Sequence, residues 1–241
     1  MKEKRKNILG LTLFQWFEIL SVTLFTIYFA IIDKESSPLY LFLSSTAAIC
    51  GIFCVVLCAA GKKSQYYWGF ANIIAYVAVS LSSKFYGEVM LNALYYLPSQ
   101  FIGLYLWKKN YNDSENSVKG KKMKPLALTV MLVLTAAGIF AYKLLLKKLG
   151  GNSAGLDSAS TVISITANAL MVLRYREQWT LWIIVDAVTV AMWAANGDPI
   201  MTTMWAVYLI NAFYGFISWT KMSRESEKKD GYKVLNPVQN C

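Results

Sequence analysis

The sequence predicts an all-α integral membrane protein, with eight transmembrane helices forming a parallel 3+1+3 repeat behind an extra N-terminal helix. Three observations lead there. Of 241 residues, 56% are hydrophobic and only 16% charged, against about 25% charged in average globular domains. Several apolar runs approach the roughly 20 residues that cross a bilayer. The chain also repeats itself. Trp68 and Asn72 recur as Trp182 and Asp186 at an offset of 114 residues, and Tyr96, Gly103 and Trp107 recur as Tyr208, Gly215 and Trp219 at an offset of 112. Five matches of uncommon residue types in one order indicate an internal repeat.

The spans follow in order. The first runs from about Leu13 to Ile32 and ends in the turn-prone stretch Asp33 to Pro38. The basic start, Met1 to Lys6, precedes an apolar run too long for a cleavable leader, so that run is taken as a membrane helix. The second span, Leu39 to Ala60, stops at Gly61-Lys62-Lys63; the third covers Tyr66 to Ser82 and the fourth Gly87 to Trp107. A polar connection, Lys108 to Lys124, leads to the fifth span, Pro125 to Leu146. Beyond Gly150-Gly151 come the sixth, Leu156 to Leu173, and the seventh, Trp179 to Ala195. Asn196-Gly197-Asp198-Pro199 is a strong turn signal ahead of the eighth, Ile200 to Trp219, and the tail from Lys221 is charged and expected to be mobile. All are expected to be helices. Hydrocarbon offers no partner to backbone groups, and the runs lack the alternation of barrel strands.

Charge orients the chain. With the N-terminus inside, Lys62-Lys63, the 108–124 connection, Arg174 with Arg176 and the tail are all inside and basic. Lys84 with Glu88 falls in an outside loop, and only the loop carrying Lys147 and Lys148 disagrees. The organisation is a cytoplasmic start and extra helix (1–38), a first three-helix repeat (39–107), a linker with the single crossing helix (108–155), a second repeat (156–220) and a cytoplasmic tail (221–241). Three spans is an odd number, so the lone fifth span gives both repeats the same orientation.

Composition also excludes function classes. The net charge of +10 resides in loops and tails, which is topology coding and not a nucleic-acid signal. There is no histidine, which removes the commonest metal ligand and general base. No metal site or cofactor is expected. Cys50, Cys54 and Cys58 share one side of a helix and read as packing residues. Gly61-Lys62-Lys63-Ser64 lacks the upstream glycine and strand of a phosphate loop. No enzyme motif is present.

What remains is polar chemistry inside spans. An acid at a helix centre carries a penalty of about 2.5–3.5 kcal/mol on insertion scales, so mid-span Asp186 needs a reason. Trp179, Trp182 and Asp186 share a helix face, as do Trp68, Asn72 and Tyr76. Asn92, Tyr96, Gln100, Gly103 and Trp107 form a third stripe, and Met204, Tyr208, Asn211, Gly215 and Trp219 a fourth. Four such faces can converge on one cavity for a flat polar solute, with Trp68 and Trp182 as stacking platforms. Asp186 is matched by uncharged Asn72, so one negative charge remains and favours a monocation. Trp107 and Trp219 read as interface-belt anchors, Gly103 and Gly215 as close-packing points, and Glu18 as a snorkelling or locally paired residue.

Trp68-x-x-x-Asn72, Gln100-x-x-Gly103-x-x-x-Trp107 and the Trp182-to-Trp219 copy, on eight spans of this topology, resemble the PnuC vitamin transporters of bacteria, which share an architecture with SWEET sugar transporters. The resemblance covers about residues 10 to 222. It implies a bacterial inner-membrane homotrimer that moves nicotinamide riboside by facilitated diffusion, with a cytoplasmic kinase trapping the product. Thiamine and riboflavin are the alternative cargoes, and proton-coupled symport through Asp186 or Glu18 is the alternative mechanism. It implies substrate contact at Trp68, Asn72, Gln100, Trp182, Asp186 and Asn211, with Tyr96 and Tyr208 as gate or contact residues. Asn211 aligns with Ser99 in strict register, one place from Gln100.

Overall fold

The structure, a computed structural model, describes residues 7–8, 10–148 and 154–235. The basic start, the Gly150-Gly151 turn and Cys241 lie outside the described residues. A short ribbon of β1 (Asn7–Ile8) and β2 (Leu11–Thr12) leads into α1 (Leu13–Ile32). A capping box starts α1: Gln15 N donates to Thr12 Oγ1 at 3.3 Å, and Thr12 N donates to Gln15 Oε1 at 3.0 Å. Asp33 ends it in a turn, accepting the backbone N–H groups of Glu35 and Ser36. Helix α2 (Pro38–Ala59) has Ser37 as its cap and Pro38 at its first position, where a missing N–H is harmless.

Helix α2 and a later helix end in the same backbone geometry. Helix α2 ends with Gly61 at φ +69°, and Lys62 N bonds back to Leu57 O at 2.8 Å. Helix α7 (Ala154–Val172) ends in the same left-handed turn, with Arg174 at φ 68° and Tyr175 N on Leu170 O at 2.8 Å. Helix α3 (Gln65–Ser82) follows α2, as α8 (Gln178–Ala195) follows α7.

The fourth span departs from expectation. It is a broken rod of α4 (Tyr86–Met90), a π-helical segment (Leu91–Tyr96) and α5 (Leu97–Lys109). Pro98 has no N–H to give, and its ring crowds the carbonyl of Leu94. The widened turn relieves this, with Leu97 N–H reaching Asn92 O. The linker forms β3 (Tyr111–Asn112) and β4 (Ser117–Val118) before α6 (Pro125–Lys148). Helix α9 (Pro199–Leu235) begins where Asp198 Oδ1 accepts Met201 N at 2.8 Å. It does not stop at Trp219: the basic tail is helical as far as Leu235.

Helices α1, α2, α6, α8 and α9 are each long and apolar enough to cross a membrane. Packing forms a ring. Helix α2 lies against α3 and α9, α5 against α3 and α7, and α8 against α7 and α9. Helix α1 covers the α2–α9 seam and α6 covers α7. The core has one cluster around Ile52, Tyr76, Trp193 and Met201, and another around Tyr66, Trp107, Trp179 and Trp219.

Candidate functional site

A cavity of about 130 Å³ lies inside the ring. Helix α3 presents Gln65, Gly69, Asn72, Ile73 and Tyr76; the broken rod presents Glu88, Leu91, Asn92, Tyr96 and Gln100. Helix α8 adds Trp179, Trp182, Val185, Asp186 and Thr189, and α9 adds Met204, Trp205, Tyr208 and Asn211. Cys54, Val55 and Cys58 of α2 and Ser164, Asn168 and Met171 of α7 complete the lining. Eight of the nine expected site residues therefore meet: Asn72, Tyr76, Tyr96, Gln100, Trp182, Asp186, Tyr208 and Asn211.

Trp68 does not join them. It is 37% exposed and stacks on Phe53 with ring centroids 4.4 Å apart. Each helical residue turns about 100°, and the lining arc of α3 runs from Asn72 toward Gly69 and Ile73, away from Trp68. On α8 the arc lies on the other side of Asp186, so Trp182 faces inward. The repeat positions match, but the two helices are rotated differently about their axes.

The polar groups are held but not exhausted. Asn72 Nδ2 donates to Ala47 O at 2.8 Å, and Asn211 Nδ2 to Val55 O at 3.1 Å, so both amides are braced against α2. Asn211 Oδ1, Gln100 Oε1 and the Tyr208 hydroxyl are buried without a hydrogen-bond partner among the described residues. Such groups are costly unless a ligand or water meets them. Asp186 is buried and has no ion pair among the described residues. The Tyr96 ring lies 6.3 Å from that of Trp182. Glycines permit the close approaches. A Cβ on Gly69 would lie 2.7 Å from Gln100 Oε1, and one on Gly51 only 1.6 Å from the Tyr208 hydroxyl. Ser99, the strict counterpart of Asn211, turns away and accepts Asn168 Nδ2 at 2.8 Å.

Trp107 and Trp219 are not interface anchors. Both are fully buried. Trp107 Nε1 donates to Met171 O of α7, and Trp219 Nε1 donates to Cys58 O of α2, each at 3.1 Å. Their rings lie 5.8 Å apart. The two bonds are alike, one meeting the C-terminal end of α7 and the other that of α2. The close-packing reading of the glycines holds: a Cβ on Gly103 would lie 2.4 Å from the Tyr66 hydroxyl, and one on Gly215 2.6 Å from the Trp179 ring. The linker joins the same face. Val118 N donates to Gly61 O at 2.8 Å and Lys121 N to Arg174 O at 2.8 Å, so it touches both repeat turns. Burial there lowers the pKa of Lys62, Lys121 and Arg174.

At the opposite end, Trp193 Nε1 donates to the Tyr76 hydroxyl at 2.9 Å, and Phe85 packs edge-on to Trp193. Tyr40 donates to Asp198 Oδ2 at 2.5 Å, tying α2 to the start of α9. Glu18 is neither snorkelling nor paired. It is 2% exposed, and both carboxylate oxygens lack a hydrogen-bond partner among the described residues. Sequence reasoning missed Glu88, which lines the cavity and was assigned to a loop. The signal was there: Glu88, Asn92, Tyr96 and Gln100 follow at steps of four. Cys54 and Cys58 also line the cavity.

Residues 41–221 match the family described as "Nicotinamide mononucleotide transporter". The chain is 42% identical to the nicotinamide riboside transporter PnuC of Neisseria mucosa over 192 residues, covering 75% of this chain and 72% of the relative. It is 36% identical to that of Haemophilus influenzae over 214 residues, covering 87% and 92%. A crystal structure of the vitamin B3 transporter PnuC superposes with a TM-score of 0.79 at 34% identity, covering 89% of this chain and 94% of that one.

Proposed function

The chain belongs to the PnuC family of nicotinamide mononucleotide transporters, and from that premise we propose that it carries nicotinamide riboside across a bacterial inner membrane by facilitated diffusion. The observation that carries the reading is the cavity itself. Asp186, with Asn72, Gln100 and Asn211, supplies charge and hydrogen bonds, and Trp182 and Tyr96 supply flat walls. A planar pyridinium fits that chemistry through charge pairing and cation–π contact. No lysine or arginine is among the described lining residues, and two carboxylates are. A phosphate would meet two carboxylates and no cation there, which favours the riboside over the mononucleotide.

The substrate contacts are Asn72, Tyr76, Tyr96, Gln100, Trp182, Asp186, Tyr208 and Asn211. The eight helical rods form two parallel triplets joined by α6, with α1 outside the repeat, in the SWEET-like plan. The reciprocal bonds of Trp107 and Trp219 support that twofold relation. The halves move against one another to alternate access, and phosphorylation inside the cell traps the product. Both termini are cytoplasmic, and the working unit is a homotrimer.

The test is uptake into liposomes holding the purified protein. Labelled nicotinamide riboside should equilibrate saturably without a proton or sodium gradient. Thiamine should compete weakly and neutral riboflavin not at all. Unchanged uptake by the Asp186→Ala, Trp182→Ala double variant would remove the assigned site. Proton-coupled symport remains the second reading, because Glu18, Glu88 and Asp186 are three carboxylates within the helical region without an ion pair among the described residues. Accumulation that collapses when a pH gradient is dissipated would establish it in place of uniport.

A further inference from the structure

We infer that Glu88 is a second substrate-binding acid, which takes the sugar hydroxyl groups of the cargo and so selects a sugar-bearing cation over a bare one. This rests on the vitamin-cation reading above and adds to it the residue that recognises the sugar.

Glu88 lies on α4, toward the end of the cavity remote from Trp107. One turn later, Asn92 Nδ2 donates to the Glu88 backbone carbonyl at 2.9 Å and reaches Oε2 at 3.4 Å. The Tyr76 hydroxyl, which accepts from Trp193, stands beside the same carboxylate. Glu88 has no ion pair among the described residues. A carboxylate within a spanning helix is kept where it has a partner or a task.

A monocation needs one counter-charge, and Asp186 takes that part, one helical turn from Trp182 on α8, whose indole lies 6.3 Å from the Tyr96 ring. Beside Glu88 stand an amide and a phenol, groups that hydrogen-bond. An ionised carboxylate offers about four lone-pair positions. Asn92 and Tyr76 occupy two, leaving about two for incoming donors. A vicinal diol brings two O–H donors from one rigid ring, and O–H to carboxylate bonds are among the stronger kinds. The two acids thus divide the cargo, with charge and ring at Asp186 and hydroxyl groups at Glu88.

Calorimetric binding to the purified full-length protein tests this. The probes are nicotinamide riboside, its 2′,3′-dideoxy analogue and 1-methylnicotinamide, which keeps the cationic ring and lacks the sugar. Glu88→Gln should weaken the riboside by about tenfold or more, the scale of one charge-assisted hydrogen bond, and leave 1-methylnicotinamide within twofold. Asp186→Asn should weaken both. Equal losses for both ligands in Glu88→Gln would make Glu88 a general cation attractor and overturn the assignment, as would no loss for either. The dideoxy comparison uses the unmodified protein, so it does not depend on the variant folding. A dideoxy analogue that binds as tightly as the riboside overturns the proposal. An unmodified protein that binds none of the three overturns the transport reading itself, a failure separable from that of Glu88.

Discussion

Gly51→Ala is a small change with a large expected effect on binding. The position is buried on α2, where Asn72 and Tyr208 converge. A Cβ there would lie 1.6 Å from the Tyr208 hydroxyl and 2.6 Å from Asn72 Nδ2. An ordinary carbon–oxygen contact is about 3.3 Å, so the hydroxyl must withdraw by well over an ångström. Hydrogen bonds fail beyond roughly 3.2 Å, so any bond from Tyr208 to a ligand is lost, at about 0.5–1.5 kcal/mol. Displacing Asn72 also strains its 2.8 Å bond to Ala47 O, and disturbing a buried pair of this kind costs about 1–3 kcal/mol. Together these predict a tenfold to thousandfold weaker Kd, at about 1.4 kcal/mol per decade. Helix propensity acts the other way, favouring alanine by about 1 kcal/mol, but on folding and not on binding. Overpacking also costs about 1–3 kcal/mol of folding, so melting temperature should fall modestly while titration calorimetry with nicotinamide riboside shows the larger loss of affinity. Cys50→Ala, one residue earlier, is the control and should bind normally. Gly51→Ala binding with the parent's affinity would refute the placement of Asn72 and Tyr208 at one site.

Three further outcomes are expected. Trp68→Ala should leave riboside affinity within twofold, whereas Trp182→Ala should weaken it about tenfold or more, the scale of one lost aromatic platform; equal effects in a competition assay would contradict the inward and outward placement of the two indoles. Trp107→Phe and Trp219→Phe each remove one of two donors from a buried carbonyl, leaving Met171 O with Arg174 N and Cys58 O with Gly61 N. Each should lower stability by about 0.5–1.5 kcal/mol, the net worth of one hydrogen bond, seen as matched falls in melting temperature, and a fall in only one would speak against reciprocal roles. Gly103→Ala places a methyl 2.4 Å from the Tyr66 hydroxyl and should destabilise by about 1–3 kcal/mol of overpacking; thermal melting checks it, and an unchanged midpoint would contradict the packing.

Residues alone determined where most of the helices lie. The first span was read as Leu13 to Ile32, and α1 covers those residues. The paired motifs were legible because tryptophan, asparagine and aspartate inside apolar runs are rare enough to register as a pattern. Asn72, Gln100, Asp186 and Asn211 followed, since burying a polar group in hydrocarbon has to be compensated. Periodicity states which residues share a face, but not where that face points. Helix rotation is set by neighbours, and so Trp68 turned outward while its counterpart Trp182 turned in. The same limit misread Trp107 and Trp219, whose partners are backbone carbonyls more than sixty residues away in sequence. Glu88 reads as an outer-loop acid by charge placement, and only the packing of α4 against α3 brings it to the cavity. One-dimensional spacing encodes helices and their stripes; only packing in three dimensions decides which stripe meets the cargo, because each helix is free to turn about its axis until side chains of the others hold it.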